Sequence, residues 1–148
     1  TLTVSTNADS GYAVTIEEDD QMSKDGSTTE IPDSGADDNT ATHLVKANWN
    51  TATATDSGAY GLGYSLGNVS GTDASFTYNQ WQTFLIKQLP CTSVAGTCGT
   101  QDTVQTIMSN SGPVSANQID VCYRINVSGI QEAGYYWNKV MYIATPVF

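Results

Sequence analysis

The chain has 148 residues, of which only 14% are charged, and a formal net charge of −10 with five Lys and Arg in total. So few cations exclude the basic footprint that nucleic acid or an anionic lipid surface requires. No run approaches the roughly 20 apolar residues of a membrane span. The length suits one domain, residues 1–148, with a core of its own. Polar character comes mostly from Thr, Ser, Asn and Gly, which favour exposed strand faces and turns over helices, so the expected class is all-β.

From the N-terminus, Leu2, Val4 and Thr6 alternate with Thr3 and Ser5, a first strand. The turn Asn7-Ala8-Asp9-Ser10 leads into a second strand over Gly11 to Ile16. Residues 17–39 hold nine of the fifteen acids: Glu17, Glu18, Asp19, Asp20, Asp25, Glu30, Asp33, Asp37 and Asp38. With their Ser and Gly content they read as an acidic surface loop. Oxygen ligands of this kind admit Ca2+, but Asp19 to Gly26 lacks the ligand spacing of an EF-hand and Lys24 intrudes. No metal ligand is therefore assigned, and no cofactor is expected.

Leu44 to Ala47 and Tyr60 to Leu66 are further strand candidates. In Phe76 to Leu89, Phe76 and Tyr78 alternate, whereas Trp81, Phe84, Leu85 and Leu89 have helical spacing, which admits one short helix. Val104 to Met108 and Pro113-Val114 add strand material. The strictest alternation runs from Ile119 to Val127: Ile119, Val121, Tyr123, Ile125 and Val127 point inward, and Asp120, Cys122, Arg124 and Asn126 outward. After a turn from Ser128 to Gly134, Tyr135 to Thr145 reads as the hairpin partner of that strand, central and partly covered on both sides, and Pro146 ends it. About eight short strands with long polar loops imply a single β-sandwich, immunoglobulin-like or jelly-roll-like.

The segment Gly63-Tyr64-Ser65-Leu66-Gly67 matches the G-x-S-x-G elbow of serine hydrolases. No helix is expected after it, and the sole histidine, His43, precedes it, so the match is read as an accident of a glycine-rich strand. His43 has no identifiable catalytic or metal partner. Acids gathered on a solvated loop lack the rigid spacing of a glycosidase pair. The chain is expected not to be an enzyme.

Cys91 and Cys98 bracket a turn-like loop whose length suits a small disulfide, pinning the loop by ~2–3 kcal/mol; Cys122 is left over. Asn68 and Asn126 head the sequons Asn-Val-Ser and are candidate glycan acceptors. These features suit a secreted protein. A chain starting at Thr1 is then expected to be a processed form or an excised domain.

Thr6-Asn7-Ala8-Asp9-Ser10-Gly11-Tyr12 with the following AVTI resembles the opening of β-sandwich domains in microbial cell-surface and pilus-type proteins. Ile125 to Pro146, with AGYYW and YIATP, resembles their closing part. The resemblance covers about a quarter of the chain and implies a secreted or surface-displayed domain of structural or adhesive role. The expected function is a structural subunit of an extracellular filament or surface layer, joined to copies of itself by β-strand complementation. Thr1, Leu2, Thr3, Val4, Ser5 and Thr6 are the donor-strand candidates. The alternative is a monomeric adhesin or carbohydrate-binding module, with Trp49 or Trp81 and the loops contacting glycans.

Overall fold

The computed structural model describes residues 1–24, 29–33, 46–48, 61–74, 85–87, 89–91 and 103–148. Among them are eleven strands and no helix. β1 (Leu2–Thr6), β9 (Val114–Asn126), β6 (Gly61–Ser70), β7 (Leu85–Lys87) and β5 (Lys46–Asn48) form sheet 1 in that order. Sheet 2 is β11 (Val140–Pro146), β2 (Tyr12–Glu18) and β8 (Gln105–Asn110); sheet 3 is β10 (Tyr136–Trp137), β3 (Met22–Lys24) and β4 (Glu30–Ile31). All named pairings are antiparallel. The class is all-β, as the composition requires.

Sheets 1 and 2 share one core. Tyr12, Val14 and Ile16 of β2 and Ile107 and Met108 of β8 meet Leu62, Tyr64 and Leu66 of β6, Ile119 of β9 and Leu89. The alternation of β2 is the cause: every second residue from Tyr12 is buried, so one face of a period-two strand supplies the apolar row. β6 is buried on both faces from Gly61 to Leu66 and lies between β9 and β7 in the middle of sheet 1. A register shift in β8 beside Val14 and Thr15 allows the consecutive residues Ile107 and Met108 both to be buried. Polar bonds tie the two sheets at one end. The Thr72 hydroxyl receives the Tyr12 phenol at 3.1 Å and donates to the Ser109 carbonyl at 2.9 Å, and Asn117 donates to the Tyr12 oxygen at 3.2 Å.

Several sequence expectations need correction. Residues 17–39 are not wholly a surface loop: β2 runs on to Glu18, β3 and β4 lie inside the stretch, and Glu18, Ile31 and Asp33 are buried. Ile119 to Val127 and Tyr135 to Thr145 do not form a hairpin, since β9 pairs with β1 and β6 whereas β11 pairs with β2. β11 is consequently an edge strand and mostly exposed, not a central one, and Pro146 is its last residue, opposite Tyr12. The Asn68 to Gly71 turn begins inside β6. Of the Phe76 to Leu89 stretch, Leu85–Lys87 is a strand; 75–84 lies outside the described residues.

β9 carries bulges on both flanks. Between Val4 and Thr6 of β1 it advances from Asn117 to Val114, one residue more than its neighbour, and Ala116 takes φ 56° there. On the other flank β6 advances three residues, Gly67 to Ser70, against two of β9, and Asn68 takes φ 49°. Asn tolerates the left-handed region; Ala pays about 1–2 kcal/mol for it. Ala116→Gly is expected to stabilise by roughly 0.5–1 kcal/mol, or about 1–3 °C in the thermal midpoint. Gly11→Ala should do the reverse and cost more than about 2 kcal/mol: Gly11 has φ +80°, and a Cβ would lie 1.9 Å from the Asn110 carbonyl oxygen. Paired melting curves of the two variants check both signs.

Candidate functional site

Two features stand apart from an ordinary core: a buried acid pair at one end and an unfinished strand edge along one side. Glu18 continues the inward row of β2 after Tyr12, Val14 and Ile16, and is fully buried. Its backbone N–H donates to the Pro90 carbonyl at 2.9 Å, and it bridges to Cys91. Asp33, 8% exposed, is brought alongside by its bridge to Leu62 and by the Leu62 N–H bond to Pro32. Asn138 donates to Glu18 Oε2 at 2.8 Å. Burial first, and then the neighbouring charge of Asp33, push the Glu18 carboxyl far above its ordinary value, while the Asn138 bond offsets a small part. Burial beside Asp33 therefore holds the Glu18 carboxyl in its neutral form, as happens when two adjacent carboxyls cannot both ionise.

The unfinished edge lies on β9. That strand has thirteen residues, and β1 pairs with it only from Val114 to Ile119. From Val121 to Asn126, among the described residues, the strand beside β9 is β6 alone. Its inward row emerges from the core there: Ile119 is fully buried, whereas Tyr123, Ile125 and Val127 are 43%, 49% and 55% exposed. Val121 is half-buried. Across the gap stands the edge strand β11, whose Tyr142 phenol meets that of Tyr123. Partial burial raises both phenols above the usual tyrosine value. Ile143, Val147 and Phe148 add further exposed apolar surface at the C-terminal end of the chain. At the other limit of the gap, Asp120 receives the Thr1 hydroxyl and, at 2.6 Å, the Asn68 amide. The Thr1 ammonium lies 3.7 Å away, and these donors hold the Asp120 carboxyl below the usual range.

The expected site residues fall as follows. Thr1 to Thr6 are placed in their own chain's sheet 1, with Leu2 opposite Ile119, Thr3 opposite Gln118 and Val4 opposite Asn117. Ser65 is buried inside β6, opposite Cys122, on an extended strand rather than at an elbow. Asn68 and Asn126 are exposed. Cys91 is buried and Cys122 is an exposed free thiol; Cys98, His43, Trp49 and Trp81 lie outside the described residues. Among the described residues no three His, Cys, Asp or Glu side chains converge to hold a metal ion. The acid pair escapes sequence reading because Glu18 sits in a run of acids. The available signal is its phase: it occupies the next inward position after Ile16.

No family model, curated protein or solved structure matches the chain.

The acid pair makes stability depend on pH. An acid with a folded-state pKa above its unfolded one binds its proton more tightly when folded. Its contribution is complete below the ordinary value of 4.5 and is lost as the pH rises toward the folded value. Glu18→Gln keeps an acceptor for Asn138 and a donor for Asp33 but cannot ionise. It should match the parent near pH 4 and exceed it at pH 8–9, the gap growing by up to about 1.4 kcal/mol per pH unit. Urea unfolding across pH 4–9 measures this; parallel curves would show that Glu18 carries no raised affinity for its proton.

Proposed function

We propose that this chain is a structural subunit of an extracellular filament or surface layer, in which subunits are joined by exchange of β-strands. The observation that carries this reading is the character of β1. Among the described residues it is an edge strand of five residues, none of them buried, with Leu2, Val4 and Thr6 only half-covered. An element held on one side by a short ladder separates at lower cost than a central strand. A neighbour's β1 entering the same place would remake every contact, including Leu2 opposite Ile119, so exchange conserves pairing while linking chains. Exchange between two chains closes a dimer, whereas exchange passed head to tail with a rotation that does not close propagates into a filament. The low charge content and Thr-rich strands suit such packing.

In this reading the protein is secreted and surface-displayed. Asn68 and Asn126 accept glycans from exposed positions, and Cys91 pairs with Cys98 to pin the loop between them. The partners are copies of the same chain, and no catalytic residue is assigned.

Negative-stain electron microscopy, with mass measured before and after boiling in detergent, tests the proposal. Regular fibres or a ladder of multiples of 15.8 kDa are expected, and deletion of Thr1 to Ser5 should abolish them. Uniform particles of monomer mass would overturn the filament. Polymerisation that survives the deletion would remove β1 as the exchanged strand.

A further inference from the structure

From Tyr135 to Val140 the chain alternates strictly between exposed and partly buried residues. Tyr136, Asn138 and Val140 turn inward. Tyr136 donates its phenol proton to the Glu132 carbonyl at 2.7 Å, Asn138 reaches Glu18, and Val140 packs against the core. Tyr135, Trp137 and Lys139 therefore form one outward row. Lys139 is paired with Asp19 at 3.2 Å, whereas the two aromatic side chains stand 77% and 52% exposed. We propose that Tyr135 and Trp137 form a stacking platform for a neutral polysaccharide, one sugar ring on each aromatic face.

The platform is held in place from its inner side. Trp137 lies opposite Ser23, and Ser23 opposite Glu30. Facing residues share a face, so the indole, a hydroxyl and a carboxylate stand together on the outside of sheet 3. Met22 and Ile31, on the other face, rest on the core or are buried. The loop that leads into the platform is fixed by polar bonds. Glu132 receives the Lys24 ammonium and, at 3.0 Å, the Thr29 hydroxyl. Gln131 donates to the Glu30 carbonyl at 3.1 Å and to the Tyr136 oxygen at 2.9 Å. Gly134 lies so close to Lys24 that a Cβ would meet its Cε at 2.6 Å. Rings positioned before a ligand arrives lose little freedom when it binds.

Size, charge and chemistry select the occupant. Aromatic side chains carry roughly 150–250 Å² each, so at these exposures the pair offers on the order of 300 Å². A stable protein contact takes about 800 Å² from each partner, and the Lys139–Asp19 ion pair closes the row at one end. The patch suits a small ligand instead. The chain's charge of −10 repels nucleic acid and acidic polysaccharides alike, which leaves an uncharged chain. A pyranose presents a face of C–H groups, which covers an aromatic ring, and a rim of hydroxyls, which seek hydrogen-bond partners. Ser23 and Glu30 stand beside Trp137 to meet that rim. Successive outward positions of an extended chain are about 6.5 Å apart, so adjoining sugars can rest on adjoining aromatics.

Calorimetric titration of the full-length chain with cellohexaose, chitohexaose and mannohexaose tests the site, with a hyaluronan hexasaccharide as the anionic comparison. At least one neutral hexamer is expected to bind, and hyaluronan to bind at least tenfold more weakly than it. For that hexamer, Trp137→Ala should weaken binding at least tenfold and Tyr135→Ala at least threefold, while Trp137→Phe, which keeps a ring, retains most of the affinity. Phe148→Ala removes an exposed aromatic at the far end of β11 and should change nothing. Thermal midpoints should stay within a few degrees, because both rings lie outside the core. Failure of all three neutral hexamers to bind at millimolar concentration would overturn the proposal. Binding untouched by both alanine variants would overturn the site, and tighter binding of hyaluronan would overturn the neutral ligand. Sedimentation supplies a further check: a dimer of the parent that disappears in Trp137→Ala would assign the rings to a contact between chains instead. The platform lies on sheet 3 and β1 on sheet 1, so the result is independent of the filament. A chain that binds sugar without forming fibres would retain the platform and reject strand exchange. Fibres that bind none of the saccharides would do the reverse.

Discussion

A thirteen-residue strand beside a five-residue one is the constraint from which the rest of this structure follows. β9 is the spine of sheet 1, matched along most of its length by β6. β6 is buried on both faces and anchors the core, so β9 cannot shorten without exposing it. Its outer flank has no such requirement. β1 covers the part that lies over the shared core, and the remainder is left with its inward row partly in water. Fully burying a side chain of this size is worth about 1.5–3 kcal/mol, so three half-exposed residues in a row represent a substantial unrealised gain. Protein surfaces carry such patches chiefly where something else covers them.

The acid pair answers a related problem at the core's end. β2 delivers its inward row in strict phase, and the phase does not stop where the apolar residues do. Glu18 is carried inside by backbone geometry, and Asp33 meets it there. An ionised carboxylate in that position would cost several kcal/mol without a paired charge. Retaining the Glu18 proton, with Asn138 supplying a donor, reduces that cost. The position is specified by strand periodicity and the chemistry adapts to it.

What is legible in the sequence follows from how far a local pattern reaches. β1 can be read with the bounds it has, because Leu2, Val4 and Thr6 alternate and Asn7 to Ser10 form a turn. The alternation of Ile119 to Val127 agrees with the buried Ile119 and the exposed Cys122 and Asn126, but Arg124, expected outward, is half-buried, and Tyr123, Ile125 and Val127, expected inward, are exposed. Alternation says which way side chains point. It does not say which strand lies alongside, and adjacency in sequence suggests a hairpin with Tyr135 to Thr145 that is not formed. Nor does it reveal how long the neighbouring strand is, so the pattern alone assigns Tyr123 and Ile125 to the core. Glu18 is hidden for a different reason: its neighbours, Glu17 and Asp19 to Gln21, resemble solvated loop, and charge outweighs phase in the reading.

The two bulges flanking β9 follow one another along it, one at Ala116 against β1 and one at Asn68 against β6, whose ladder skips between Asp120 and Gln118. Both ladders are thus interrupted within the same few residues. A strand that changes neighbour where its ladders are interrupted divides into two segments that need not breathe together. Val114 to Asn117 are held by β1 and Asp120 to Asn126 by β6, and the two neighbours overlap only near Gln118. Amide protons should report the division as a step in protection within a single continuous strand, and opening of the second segment passes directly to Leu62, Tyr64 and Leu66 of the core strand it pairs with.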